Sequence, residues 1–487
     1  MGETIPLIGV EFNKSIKIEA RPEKLTSEVG ALLEREVIER LNITQWLSAR
    51  LSDPRDPKRI THPLEELLNA EFLLLCQGWR DQDDADTLRD DPMMRLSAST
   101  RHGLSPLETR CAEERDRDHN PEVPDGLPSQ PTLSRLERAL SSEENRAVLR
   151  DGLLMIAAKR YRAMRGGKRQ RYLTIDIDSL PVDVHGNQPG SAYNGYYHRR
   201  VFHPLVANVA ETGDLLDMQL REGNVHTANG GLGFILPLLD KVEREMCQVA
   251  SVRIDAGFPE DELLAALEKR RTAYVARIKN NAVLDRMAIP YLKRPVGRPS
   301  SAQRTWFHEL NYEAESWRCP RRVVLVVQER PGELLPHHFW LLTSWSAEQM
   351  SAEQLLQLYR RRGTAEGHYG ELMNVLNPAL SSSPRQKSHY RGRPVAPHTH
   401  AGDSFAQNEV RLLMHAIAYN ILHVVRRLTE AATGEGWSLQ RLRERVLRLP
   451  ARIVIHARRA VVVIGLNGAA LWQAIWHKLA RFRQWPT

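Results

Sequence analysis

The chain is poor in cysteine, with four in 487 residues, at positions 76, 111, 247 and 319. No two form a CxxC pair, which argues against a disulfide framework or a cysteine zinc site and makes a reducing cytoplasm the expected setting. No apolar run approaches the roughly 20 residues of a membrane span, so no membrane partner is expected. The N-terminal MGETIPLIGVEFNKS has no basic stretch followed by an apolar one, so it does not read as a secretory signal. Pro6 stands where a myristoylation motif wants Ser or Thr. No internal repeat is visible, and the histidines 185, 198, 203 and 226 lack zinc spacing such as HExxH, which leaves them as polar surface groups.

The composition is that of a soluble globular chain, with 42% hydrophobic and 26% charged residues. The length allows two to four domains. A net charge of +8 is unevenly spread. Residues 381–487 carry 17 Arg or Lys against 5 Asp or Glu, leaving the first 380 residues slightly acidic. A basic C-terminal block on a near-neutral body points to a polyanionic partner such as DNA.

Apolar spacing predicts helices over 25–50 and 63–79. The acidic 81–92 reads as a loop with helix starts, and the proline-bearing 97–130 as a linker. Ser134 and Glu137 have the spacing of a capping box, and a helix over 143–165 leads into RYLTIDIDSLPVDVHGNQ (171–188). There Leu173, Ile175 and Ile177 alternate with Thr174, Asp176 and Asp178, the period of a strand with one apolar and one polar face. The segments RRVFHPLVANVA and LLDMQLREG flank a turn at Glu211-Thr-Gly-Asp214. A helix over 229–246, a strand VASVRIDAGF ending near Asp255, a helix over 259–271 and a strand YVARIKN follow. Three antiparallel strands followed by helix–strand–helix–strand predict an α/β fold with a mixed five-stranded sheet and flanking helices. Residues 281–345, with the strand-like runs RRVVLVVQE and HHFWLLTSW, read as a β-rich insertion, with the end of the main sheet as an alternative for part of it, and with Trp306, Trp317, Trp340 and Trp345 in its core; 350–376 reads as one helix. The expected divisions are 1–130 (helical, with linker), 131–280 (core, first part), 281–345 (insertion), 346–380 (core, closing helix) and 381–487 (basic region).

Asp178 and Asp255 end strands of this sheet, where open α/β sheets place functional groups, and Glu366 lies on the later helix. Buried carboxylates repel one another unless a cation compensates them, and hard divalent ions choose oxygen ligands. Three carboxylates around two Mg²⁺ ions about 3.5–4 Å apart would clamp an in-line displacement at phosphorus. Mn²⁺ could substitute. Asp176 faces the same way as Asp178 and remains an alternate first ligand.

The words DIDSLPVDVHGNQ, VRIDAGF and YRRRGTAEGHYGEL together resemble the bacterial insertion-sequence transposases of the DDE superfamily. The resemblance implies a ribonuclease-H-like core, with Asp178, Asp255 and Glu366 as catalytic and metal-holding residues. Tyr359 and Arg362, of the Y-x-x-R-x-x-x-E word, would contact DNA one to two turns before Glu366. It implies metal-dependent cleavage at transposon ends, strand transfer by a 3′-hydroxyl, double-stranded terminal repeats and target DNA as partners, and a synaptic homodimer in a bacterial cytoplasm. Leu180 departs from the usual Thr, and Met373 from a phosphate-contacting Lys. A metal-dependent nuclease without strand transfer and a catalytically dead DNA-binding derivative are the competing readings. Two Gly-Arg-Pro tripeptides, in 293–299 and 390–394, are minor-groove candidates.

Overall fold

The computed structural model describes residues 12–13, 15–16, 23–107, 126–163, 170–184, 186–294, 301–333, 335–381, 389–390, 393–394 and 401–481. Pro6, Cys111, His185, much of the expected linker, the first Gly-Arg-Pro tripeptide and Gly392 of the second lie outside them. The chain divides into two compact units: one of residues 45–53, 137–423 and 485–487, the other of 1–44, 54–136 and 424–484.

The first unit is built on an eight-stranded mixed sheet: β1 (Tyr172–Ser179), β2 (Leu205–Val209), β3 (Leu215–Gln219), β4 (Gln248–Ile254), β5 (Ala273–Ile278), β6 (Arg304–Tyr312), β7 (Arg321–Glu329) and β8 (His337–Thr343). Their spatial order is β3-β2-β1-β4-β5-β8-β7-β6. β1 pairs antiparallel with β2 and parallel with β4, and β4 pairs parallel with β5. The five expected strands are therefore contiguous, but the sheet does not stop at five. The segment read as an insertion supplies β6, β7 and β8, and β8 hydrogen-bonds to β5, so it prolongs the sheet. Runs such as RRVVLVVQE are apolar on both faces, as a central strand requires. Trp340 and Trp317 are buried, and Trp306 packs against the same core.

One face of the sheet packs on helices α1 (Glu143–Ala163), α2 (Gly231–Glu245) and α3 (Asp261–Arg270). Leu173, Ile175 and Ile177 of β1 meet Leu154, Ala157, Phe234, Leu239 and Leu264 there, each buried side chain contributing about 1.5–3 kcal/mol. On the other face, Val275, Val324, Val326 and Leu341 receive Ala352, Leu355 and Leu356 of α4 (Ala352–Arg360). α4 starts on a full capping box between Ser351 and Gln354. The expected single helix over 350–376 breaks at Arg361: α5 (Arg362–Glu371) follows, then a wide π turn (Leu372–Leu376). Ser134, expected to cap, sits inside the helix Gln130–Ala139, and Glu137 instead accepts from Nε of Arg411 at 2.8 Å.

Helix α6 (Ala401–Thr433), through His423, closes the β3 edge. Asn420 accepts from Leu215 N–H at 3.0 Å and donates to Leu215 C=O at 2.8 Å, pairing an edge that would otherwise be open. The β2–β3 turn uses Gly213 at φ +82°, where a Cβ would lie 2.5 Å from His368. Beside it, Asp214 forms a buried two-pronged pair with Arg160 of α1.

In the second unit the strand Lys24–Thr26 pairs antiparallel with Ala451–His456, which turns back into Arg459–Ile464. The N-terminal and C-terminal segments, expected as separate regions, thus share a sheet. The helix Leu64–Gln77 is buried from Glu66 onward and ends on Gly78 at φ +91°. Within the acidic 81–92 stretch, Asp91 caps the helix Pro92–Ala98 by accepting from the N–H groups of Met93 and Met94, each at 2.9 Å. Among the described residues no helix is long and apolar enough to cross a membrane.

Burial alone would raise the Asp214 carboxyl, but Arg160 outweighs it and holds the group well below the usual carboxylate range. Arg160→Ala strands that charge, and a loss of about 3–5 kcal/mol is expected in urea denaturation. The double change Arg160→Met with Asp214→Leu is expected to recover most of it.

Candidate active site

The polar face of β1 is not in water. Thr174, Asp176 and Asp178 are all buried, and each has a different partner. Thr174 shares a hydrogen bond of 3.1 Å with Ser251. Asp176 lies directly across the parallel β1–β4 register from Arg253. The guanidinium grips both its oxygens, Nε at 2.5 Å and Nη2 at 2.6 Å, and sends Nη1 to Leu358 C=O at 2.9 Å. Both oxygens of Asp176, the alternate first ligand, thus accept from Arg253.

Asp178 sits one step further along, at the end of β1, and Asp255 is the first residue after β4. Adjacent parallel strands therefore bring the two carboxylates to the same sheet edge. Glu366 comes from α5, one turn after Arg362. The three acids meet through that arginine. Arg362 Nη2 donates to Asp178 Oδ2 at 2.6 Å, while Nη1 lies 3.4 Å from Asp255 Oδ1 and 3.5 Å from Glu366 Oε1. Among the described residues no three acids, cysteines or histidines converge directly as a metal cage. The oxygen-rich donor set nevertheless suits a hard divalent ion, and one cationic group already reaches all three carboxylates, so the residues fit such an ion. Asp178 and Asp255 would hold it from the strand ends and Glu366 from the helix.

Burial pushes the Asp178 carboxyl from 3.8 up to about 6; Arg362 and the Ser179 N–H oppose the rise, and Asp255 and Glu366 add to it. Asp178 is thus a buried acid whose ionised form is short of compensating charge. Asp255 and Glu366 are 44% and 63% exposed, so water solvates them and the problem is concentrated on Asp178.

Tyr359 and Arg362 do not share one continuous helix. Tyr359 belongs to α4 and Arg362 opens α5. Burial raises the Tyr359 phenol, and the positive charge of Arg362 pulls it back. Tyr369, one turn beyond Glu366, hydrogen-bonds Asn208 of β2 and fastens α5 to the sheet. Met373 is half-buried in the π turn, and Leu180 donates its N–H to Pro204 C=O at 3.1 Å.

The acids line a cleft of about 1290 Å³. Its other walls hold residues that sequence reasoning passed over: Tyr193, Tyr196 and Tyr197, and the exposed Arg277 and Lys279 at the end of β5. Tyr193 lies in a small sheet of Val182–Asp183, Ala192–Asn194 and Arg199–Phe202, and Tyr196 and Tyr197 in the loop between its last two strands. Asn194 holds their loop, accepting from Tyr196 N–H at 3.0 Å and donating to Gly223 C=O at 2.9 Å. His203 is buried rather than at the surface, its Nδ1 3.3 Å from Val225 C=O and its ring edge-on to Tyr197. His198 and His226 are exposed. In the word VRIDAGF the glycine is required by packing, since a Cβ on Gly257 would lie 2.6 Å from Thr227. Arg253 stands in that same word, two residues before Asp255, but its partnership was not legible, because a lone strand offers no sign of its register neighbour.

No curated protein gives a match. Among solved structures, the chain is similar to one described as a piggyBac transposase synaptic complex with hairpin DNA. That likeness has 13% identity, covers 93% of this chain and 80% of that one, and has a TM-score of 0.41, too loose to fix any residue correspondence. The family model described as Transposase DDE domain group 1 matches residues 8–387 and 398–487. Matched over almost its whole length, the chain belongs to this family of DDE transposases.

Proposed function

We propose that the chain is a DNA transposase of the bacterial insertion-sequence kind, in which Asp178, Asp255 and Glu366 hold Mg²⁺ ions for cleavage at transposon ends and strand transfer. One observation carries this: acids far apart in sequence face one cation, at the ends of neighbouring parallel strands, on the rim of a cleft. The order β3-β2-β1-β4-β5 within the sheet supports a ribonuclease-H-like reading of the core. Divalent ions, when bound, supply an activated oxygen nucleophile and stabilise the leaving oxygen.

The chain's own groups do the rest. Asp178, in the least solvated position, fixes the centre; Asp255 and Glu366 approach from the open side. Arg277 and Lys279 neutralise phosphates entering the cleft, and Tyr359 and Arg362 orient the phosphate at the centre. The N-terminal helices and the basic C-terminal segment grip terminal inverted repeats, and a homodimer pairs two ends. A cytoplasmic, nucleoid-associated setting suits that partner.

Asp255→Asn is expected to lower Mg²⁺-dependent cleavage of an end-bearing duplex by about 10²–10³-fold without changing the melting temperature of the metal-free protein by more than a few degrees. Retained cleavage would refute the assignment. Given a pre-nicked end with a free 3′-hydroxyl, the protein is expected to join it to target DNA; hydrolysis without joining would leave a plain nuclease.

The Asp178 carboxyl also sets a pH dependence. Its folded value, about 6, lies above the ordinary 3.8, so the unfolded chain ionises it first. In the metal-free protein its penalty is absent below about pH 4, grows as pH rises to about 6 and is complete above that. A divalent ion needs the ionised form. The rise in melting temperature on adding Mg²⁺ is therefore expected to be largest above about pH 6 and to shrink as pH falls through that value, with Asp178→Asn abolishing the trend.

A further inference from the structure

Two buried arginines touch the acids of β1, and they are built differently. Arg253 is 2% exposed, meets Asp176 with two parallel bonds and donates from its third nitrogen to Leu358 C=O. It is a finished pair. Arg362 makes one close bond, to Asp178, and only long approaches of 3.4 and 3.5 Å to Asp255 and Glu366. Its Nε is buried without an acceptor. Asp255 and Glu366, its two looser partners, are largely open to the cleft. Arg362 also stands at a joint, as the first residue of α5 just past the break at Arg361. At the adjoining Gly363, and at Gly367 beyond Glu366, an added Cβ would meet nothing within 4 Å.

We infer that Arg362 is an exchangeable internal cation: in the metal-free protein its guanidinium occupies the centre of the Asp178, Asp255 and Glu366 group, and a divalent ion must displace it to bind there. The inference rests on the reading that these acids hold such an ion. A divalent ion at the point Arg362 now fills needs the Asp178 oxygen that the guanidinium holds, and its repulsion with the arginine would add to the loss of that bond. The arginine thus does two things of opposite sign. It keeps a buried carboxylate compensated while the protein waits, and it weakens the protein's affinity for metal. Once displaced, its planar fork is free for a phosphate oxygen in the same cleft, so metal and DNA would enter as a linked pair.

A residue that merely positions ligands predicts the reverse, since its removal would loosen the acids and weaken metal binding. The sign of the change therefore decides. The test uses the full-length protein without DNA, titrated with Mn²⁺ and read by the electron paramagnetic resonance of free ion, alongside melting curves. Arg362→Gln is expected to bind Mn²⁺ about tenfold tighter or more than the wild type. It should melt lower than the wild type without metal and regain that difference in saturating Mn²⁺. Arg362→Lys, a point charge without the fork, is expected to fall between the two and decides the matter should Arg362→Gln lack a cooperative melt. Binding by the wild type with equal or weaker binding by the folded variants overturns this inference and leaves the metal reading standing. If neither the wild type nor the variants bind Mn²⁺, the metal reading and this inference fall together.

Discussion

The structure is organised around negative charge held at the interior end of one strand. β1 presents Asp176 and Asp178 on a face that is covered, not solvated. An isolated buried carboxylate costs several kcal/mol, so each must be answered by a cation from a segment that folds onto that face. Asp176 is answered from the neighbouring strand by Arg253, and Asp178 from a helix 184 residues later by Arg362. The compensation is unequal. Asp176 has two close bonds to one guanidinium, whereas Asp178 has one, and the repulsion of two further acids is added to its burial. That residual imbalance is what makes the end of β1 a place where an outside cation has something to gain.

The remaining architecture supplies the cover. Parallel pairing of β1, β4 and β5 sets Asp178, Asp255 and the basic end of β5 along one edge. β6, β7 and β8 widen the sheet so that α4 has an apolar floor of Val275, Val324, Val326 and Leu341. Without that floor α4 would have no reason to end where it does, and α5 would not begin over the acids. The tryptophan-rich segment therefore serves the site by packing, at a distance from it.

Patterns of period two made β1, β4 and β5 legible in the sequence, and the strand-end acids with them, because alternation and strand ends are local properties. The count of strands in the sheet was not legible. RRVVLVVQE and HHFWLLTSW read as strands, but pairing with β5 is a tertiary choice that no local pattern encodes. The break at Arg361 was hidden for a similar reason: MSAEQLLQLYRRRGTAEGHYGEL keeps helical spacing through the joint, and glycines only weaken a helix without locating its end. His203 looked like a surface group because a lone histidine carries no sign of burial. The three cleft tyrosines were unread because they lie in or beside a small sheet whose strands are only two to four residues long, too short for a periodic pattern.

Asp176 and Asp178 looked interchangeable from spacing alone, and their different fates explain why a strand would carry both. The last carbonyls of a helix lack partners within it. Leu358, in the final turn of α4, gives its carbonyl to Arg253, the arginine that Asp176 holds in place. A line of charge-assisted bonds thus runs from the middle of β1, through β4, to the end of α4. The joint at Arg361 lies three residues past that anchor, and Arg362 and Glu366 follow at once. Fixing α4 by its tail sets where α5 starts, and so places Arg362 against Asp178. The inner acid is then a foundation for the helix, while the outer one faces the cleft beside Asp255 and Glu366. Substituting Asp176 would disturb the site through the position of α5, even though Asp176 itself never touches Glu366.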